Sequence, residues 1–270
     1  MVRMIAMDLD GTLLTDDKRV SAKNQEAIRA AREKGVRIVP CSGRSPKSIH
    51  RIVRELDLDR PGEYYIVSNG ACILEGGTGK VIQSKLLPEG AASRLTGIAR
   101  ENSQTVNAHL YIGNQFLVER YLPCTAVYEK LSGSRCTVVP SLDPYLNQPM
   151  LKLLYNSASP EDLAALQEKI RGSLPEKVQM FRSSDYLLEF VHQDAGKWNA
   201  VNYLLKFLNI QPNEVLCIGD NENDEGMIQR AGIGAAPCNA VPVVRENADY
   251  VAASDNNHDA VSEIIQYFVM

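Results

Sequence analysis

The sequence predicts an α/β protein: a Rossmann-like parallel-sheet core domain with an inserted α+β segment. Three observations lead there. Short apolar runs alternate with helical patterns as far as Val67, the regularity breaks down from about Leu86 to Phe190, and it returns after Gly196. Strand–helix–strand units at this spacing imply right-handed crossovers and a parallel sheet.

The elements follow in order. Met4-Ile5-Ala6-Met7 reads as a buried strand ending at Asp8. Ser21 is placed to cap a helix with Ala27, Ile28 and Ala31 on its apolar face, and Gly35 stops it. Val36 to Cys41 is a second strand; Pro46 stands near the start of a helix carrying Ile49, Ile52, Val53 and Leu56. Tyr64-Tyr65-Ile66-Val67 is a third strand, expected in the same sheet. Ala71 to Leu74 and Val81-Ile82, joined through Gly76-Gly77-Thr78-Gly79, form a hairpin. Within the insertion the pattern suggests helices near 88–102 and 124–131, a strand pair near 109–119 and a strand at Leu151–Tyr155. Ser159-Pro160-Glu161-Asp162 opens a further helix, followed by strands near 177–181 and 187–191. Beyond Gly196, Lys197 begins a helix with Val201, Leu204, Leu205 and Leu208, and Val215 to Gly219 is a buried strand ending at Asp220. Two further βα-like units place strands near Ile233 and at Tyr250-Val251. The expected division is residues 1–84 and 191–270 as core, with 85–190 inserted.

Composition narrows the function. The 29 Lys and Arg against 33 Asp and Glu give a net charge of −4, which disfavours nucleic acid or anionic membrane as the main partner. An apolar share of 44% supports a real core rather than a disordered chain. The N-terminal apolar run is too short for a signal peptide, and no apolar stretch is long enough for a membrane helix. Cys41, Cys72, Cys124, Cys136, Cys217 and Cys238 are scattered without a C-x-x-C pair, so they are expected as reduced thiols of a cytoplasmic protein, monomeric or weakly dimeric.

Four clusters fall just beyond strand C-termini, where open parallel sheets place their chemistry. In Asp8-Leu9-Asp10-Gly11-Thr12 two carboxylates two residues apart on an extended segment point the same way. One can attack as a nucleophile while the other handles protons, provided a cation quiets their repulsion. Ser42-Gly43-Arg44 offers a hydroxyl and backbone N–H groups at a helix start, suited to a phosphate oxygen. Lys197 supplies a cation for the same anion, and Gly219-Asp220-Asn221-Glu222-Asn223-Asp224 puts an acid directly after a buried strand. Oxygen donors of this kind suit Mg²⁺, and the four scattered histidines form no ligand-spaced cluster. Taken singly, each residue has an ordinary structural use: Asp-x-Asp before Gly as a solvated turn, Ser42 as a helix cap, Lys197 as a surface lysine, Asp220 as an Asx turn.

Together, in this order, the four clusters resemble the haloacid dehalogenase superfamily of phosphotransferases, and the size of the insertion is similar to the cap of its Cof-type sugar-phosphatase branch. The resemblance spans residues 1–70 and 197–270. It implies that Asp8 forms an aspartyl-phosphate and that Asp10 protonates the leaving group and then activates water. It implies phosphate binding by Ser42, Gly43, Arg44, Lys197 and Asn223. Mg²⁺ would be held by the Asp8 side chain, the Asp10 main-chain carbonyl and Asp220, with Asp224 orienting Lys197 or water. Ser68-Asn69-Gly70-Ala71 matches a loop near the site mouth, with Asn69 either bonding within the loop or touching substrate. The chain departs from the pattern in several places: Ser42 stands where Thr is commoner, Trp198 where Gly is usual after the lysine, Ala195-Gly196 where a bulkier residue and a small polar one usually precede it, Pro237-Cys238 where Met-Gly is usual, and Ala260 where Gly is usual. Of the insertion, Tyr111, Arg120, Tyr128 and Arg182 are candidates for touching a substrate, against the commoner surface or core roles.

The leading expectation is a Mg²⁺-dependent phosphatase for a small phosphorylated metabolite such as a sugar phosphate. A phosphomutase shares the Asp8/Asp10 pair and differs in product, an isomerised phosphosugar rather than free phosphate. A non-catalytic phospholigand-binding regulator is the third possibility, and Asp10 argues against it, because binding alone needs no proton-shuttling carboxylate.

Overall fold

The computed structural model describes residues 1–112 and 115–270, which fall into two compact units. The first comprises Met1–Gly43, Ile49–Gln83 and Gly196–Met270; the second comprises Arg44–Ser48 and Ser84–Ala195.

The chain opens with β1 (Met4–Met7), α1 (Ala22–Glu33), β2 (Arg37–Pro40) and α2 (Pro46–Glu55). Ser21 Oγ accepts from the Asn24 N–H at 3.1 Å, the expected cap, and Gly35 at φ +84° lets the chain leave α1. β3 (Tyr64–Val67), β4 (Cys72–Glu75) and β5 (Val81–Ser84) follow. The second unit contributes α3 (Ala91–Glu101), β6 (Val106–Ile112), β7 (Gln115–Val118), α4 (Pro123–Ser132), β8 (Cys136–Val138), β9 (Lys152–Ser157), α5 (Pro160–Ile170), β10 (Val178–Ser184) and β11 (Leu187–His192). Returning to the first unit, the chain forms α6 (Lys197–Leu208), β12 (Val215–Ile218), α7 (Glu225–Arg230), β13 (Ile233–Ala236), α8 (Pro242–Asn247), β14 (Tyr250–Val251) and α9 (Ala260–Phe268).

Five parallel strands in the order β14-β13-β12-β1-β2 make the main sheet of the first unit. Every residue of β1 and β12 is buried, as expected of central strands covered on both faces. Met4 and Ala6 pack with Val201, Leu204 and Leu205 of α6 and with Met227 and Ile228 of α7, while α1 lies against α9. One expectation needs correcting. Tyr64–Val67 does not continue the parallel sheet as a full strand. It touches β2 through a single parallel bridge, Cys41 to Ile66, and pairs antiparallel with β4 in a separate sheet β3-β4-β5. The tight turn at Ser68–Gly70 folds the chain straight back, so that β4 pairs along the edge of β3 away from β2, and only Ile66 bridges on the other edge.

The second unit is a six-stranded sheet, β10-β11-β9-β6-β7-β8, antiparallel except where β7 meets β8. Neighbouring side chains of β6 serve opposite faces: Leu110 joins Leu95, Leu153, Leu163 and Phe190 beside α3 and α5, whereas Tyr111 joins Phe116, Tyr128 and Leu154 beside α4. The strand pair near 109–119 is present as β6 and β7; residues 113–114 between them lie outside the described residues. Strand β8 has no signal in the sequence, since three residues are too few to show a period. Tyr111 and Tyr128 hydrogen-bond to each other and are buried, and Arg120 donates to the Val106 carbonyl.

His109 lies buried in that aromatic layer, stacked on Phe116 at 5.1 Å, with neither ring nitrogen hydrogen-bonded. Burial, reinforced by the Lys152 ammonium, pushes its pKa down to about 3. An unfolded histidine titrates near 6.5, so between pH 6.5 and 3 the unfolded chain binds a proton that the folded chain refuses. Stability therefore falls as pH is lowered through that window, by about 2 kcal/mol at pH 5 from this residue alone. Chemical denaturation of His109→Leu at pH 7 and pH 5 should show a correspondingly smaller acid loss than wild type, and an equal loss in both proteins would refute it.

Candidate active site

The ends of β1 and β12 meet side by side, because Met7 pairs with Ile218 and the Asp8 N–H donates to the Ile218 carbonyl at 2.9 Å. That register brings two acids together across a long stretch of sequence. Asp8, Asp220 and Asp224 offer carboxylate oxygens within 4.8 Å of one another. Lys197, the first residue of α6, reaches between two of them: its Nζ donates to Asp8 Oδ1 at 2.6 Å and to Asp224 Oδ1 at 2.5 Å. The lysine is 2% exposed, and Asp224 is fully buried.

Asp224 does more than pair with the lysine. Its Oδ2 accepts from the backbone N–H groups of Asp220 and Asn221, each at 3.1 Å, and so ties the loop after β12 to the start of α6. Asp220 is fixed from the other side by Thr12, whose Oγ1 donates to Asp220 Oδ1 at 2.6 Å. Gly11 lies at φ +81°, and a Cβ there would fall 2.4 Å from Asp220 Oδ2, so the close approach requires glycine.

The electrostatics follow from this crowding. Burial raises the Asp8 pKa well above the usual carboxylate range; Lys197 pulls against it, and Asp224 and Asp220 add to it. Asp220 is pushed up to about 6, first by burial and then by the Asp224 charge. For Lys197 burial disfavours the ammonium, but the Asp224 and Asp8 carboxylates more than compensate and keep it charged. With all three carboxylates ionised, one ammonium leaves two negative charges uncompensated in a buried place. A divalent cation cancels that number, and the oxygen-only donor set suits a hard ion such as Mg²⁺. The residues fit a metal site.

Asp10 differs from the expectation of two carboxylates sharing one extended segment. The strand ends at Met7, the chain turns at Leu9, and the Asp10 side chain is 40% exposed where that of Asp8 is 9%. Asp10 is paired instead with Lys18 Nζ at 2.9 Å. No motif in the sequence marks Lys18. Its signal is the turn Asp16-Asp17 between the apolar residues Leu14 and Val20, which bridge to each other and return the chain to the level of Asp10.

Ser42 is buried beyond the end of β2, its N–H donating to the Ile66 carbonyl at 2.9 Å. Gly43 packs against the Asn69 carboxamide, and Asn69 Oδ1 accepts from Asn223 Nδ2 at 2.9 Å. Arg44 belongs to the second compact unit, whereas Ser42 and Gly43 belong to the first. Trp198 packs on the apolar cluster of α6 and α7, and Lys197 keeps both its carboxylate partners beside it.

The model of the haloacid dehalogenase-like hydrolase family matches residues 5–265. YxeH of Bacillus subtilis, a candidate phosphatase, is 34% identical over 98% of this chain and 97% of its own length. A haloacid dehalogenase-like hydrolase from Bacteroides thetaiotaomicron superposes with a TM-score of 0.90 at 29% identity, covering 99% of each chain. A sugar phosphatase of subclass IIB of the same superfamily shares the fold, with a TM-score of 0.83 and 21% identity over 99% of each chain. The chain belongs to the haloacid dehalogenase-like hydrolases. Within them it is a phosphatase of the Cof-type branch, built as a Rossmann-like core with an insertion.

Proposed function

We propose that this phosphatase hydrolyses a small phosphorylated metabolite of the sugar-phosphate class through an aspartyl-phosphate on Asp8, with Mg²⁺ as its metal. The observation that carries the reading is the buried Asp8–Lys197–Asp224 chain, with Asp220 beside it and the half-exposed Asp10 two residues from the nucleophile. Asp8 Oδ attacks phosphorus as the bond to the leaving oxygen breaks, and Asp10 delivers a proton to that oxygen. Asp10, now a carboxylate, then takes a proton from water as the water attacks the acyl phosphate, releasing inorganic phosphate and restoring Asp8. Lys197 holds the Asp8 carboxylate in place and offers a fixed positive charge, while Ser42, Gly43 and Asn223 receive the phosphoryl oxygens. The Asp8 and Asp220 carboxylates with the Asp10 carbonyl would hold Mg²⁺, which supplies charge neutralisation between nucleophile and phosphate.

The second compact unit is assigned as the cap that excludes water and selects the remainder of the substrate. Among the described residues no helix is long and apolar enough to cross a membrane. The six unpaired cysteines fit a reducing, cytoplasmic setting.

A panel of phosphorylated metabolites, assayed for released phosphate with and without a chelator, tests the proposal. Turnover of at least one sugar phosphate, lost in chelator and restored by Mg²⁺, is expected. Full turnover in excess chelator refutes the metal assignment, and isomerised product without free phosphate refutes hydrolysis.

A further inference from the structure

We propose that the turn Ser68–Gly70 is a positioning device for the phosphate site, in which the Asn69 carboxamide holds Asn223 and the Ser42–Gly43 loop in register. The inference rests on the phosphatase reading above. Three consecutive residues adopt left-handed backbone here, Ser68 at φ +51°, Asn69 at +55° and Gly70 at +88°. Two of them carry a Cβ, and Ser68 and Asn69 are only 2% and 4% exposed. Such a run is unfavourable for L-residues and persists only where the surroundings over-determine it. Asparagine tolerates the conformation better than most, but tolerance does not explain why the turn is built from it rather than from glycine throughout.

The contacts supply the reason. The Asn69 N–H donates to the Ser42 carbonyl at 3.0 Å, and Asn69 Oδ1 accepts from Asn223 Nδ2 at 2.9 Å. A Cβ on Gly43 would fall 2.9 Å from Asn69 Oδ1 and 3.0 Å from Nδ2, so the carboxamide lies flat on that glycine. A Cβ on Gly70 would fall 2.1 Å from the carbonyl oxygen of Gly196, the residue before Lys197. One strained turn thus touches the loop after β2, the loop after β12 and the start of α6. A primary amide held through one of its hydrogens has a fixed plane, which gives its remaining donor a fixed direction. Asn69 is therefore a positioning residue acting through Asn223 and Ser42–Gly43.

The test compares Asn69→Gly, which keeps the left-handed turn without strain and removes only the carboxamide, with Asn69→Ala, which removes the carboxamide and strains the backbone. Competitive inhibition of nitrophenyl phosphate hydrolysis by inorganic phosphate reports the site, and thermal melting reports the fold. Phosphate inhibition should weaken about 5–20-fold in both variants, while Asn69→Gly melts above Asn69→Ala. Combined with Asn223→Ala, Asn69→Gly should cost little more than the larger single change, because the two residues act through one contact. Wild-type inhibition in Asn69→Gly, or losses that simply add with Asn223→Ala, would overturn the proposal. Ser42→Ala separates the two levels. If it weakens phosphate while Asn69→Gly does not, only the positioning role fails; if neither does, the phosphate site itself is misplaced.

Discussion

Asp8→Asn is expected to reduce turnover to background, whereas Asp10→Asn is expected to slow it by about 10²–10⁴-fold and to leave phosphate on the enzyme. The two acids stand in different places, and the difference decides the outcome. Asp8 is buried against Lys197 Nζ, and an amide there still accepts the lysine proton, so the fold survives while the proposed nucleophile is gone. Asp10 is half-exposed on a surface ion pair with Lys18, so its replacement costs little stability. It removes only the proposed proton donor and acceptor. A nitrophenolate leaves without help, so the first step of Asp10→Asn proceeds with that ester, and hydrolysis of the acyl phosphate becomes limiting. Rapid quenching with labelled substrate should trap phosphoenzyme in Asp10→Asn and none in Asp8→Asn. Retained turnover in Asp8→Asn would reverse the assignment.

The second large effect is on stability. Lys197→Met replaces a buried ammonium by an apolar chain of similar length and leaves the Asp8 and Asp224 carboxylates facing each other without it. Breaking a buried pair from one side costs about 3–5 kcal/mol. The pH dependence has a definite sign. Burial already raises the pKa of Asp8 in the folded protein, and losing Lys197 removes the main influence holding it down. A carboxyl with a raised folded pKa binds more protons folded than unfolded, so stability is regained as pH falls through that value. Urea titrations in metal-free buffer should therefore show Lys197→Met weakest at pH 8 and recovering towards pH 5. A loss below about 1 kcal/mol at pH 8 would mean that the carboxylates are not held as buried charges.

Much of the site was legible because its chemistry lies at strand ends, where an apolar run stops at an acid. Met4–Met7 before Asp8 and Val215–Ile218 before Gly219-Asp220 are such stops, and the pairing of these two strands delivers both acids to one place. Lys197 was legible only through its place at the start of a helix after the insertion. Less visible were features set by reach and packing rather than by pattern. The Lys18–Asp10 pair depends on a hairpin turning back at Asp16–Lys18, and the anchoring of two backbone N–H groups by Asp224 depends on its burial beneath Gly219. Tyr64–Val67 carries the apolar run of a parallel-sheet strand, but composition does not reveal which neighbour it chooses. Tyr111 and Tyr128, weighed as substrate contacts, are bonded to each other in a buried layer.

The central strand carries a consequence for how the protein is born. Met4 pairs with Arg37 on one side and with Val215 on the other, so one partner is local and the other arrives only after most of the chain. Residues Ser84–Ala195 emerge from the ribosome between those two events and form a sheet of their own. Closing the long loop between Met4 and Val215 is slow relative to local pairing, and domains tend to form as their residues appear. The nascent chain therefore holds an open sheet edge on β1 until β12 is made. Until then Asp8 has neither Lys197 nor Asp220 beside it, so the carboxylate cluster comes together only once α6 and β12 have been made.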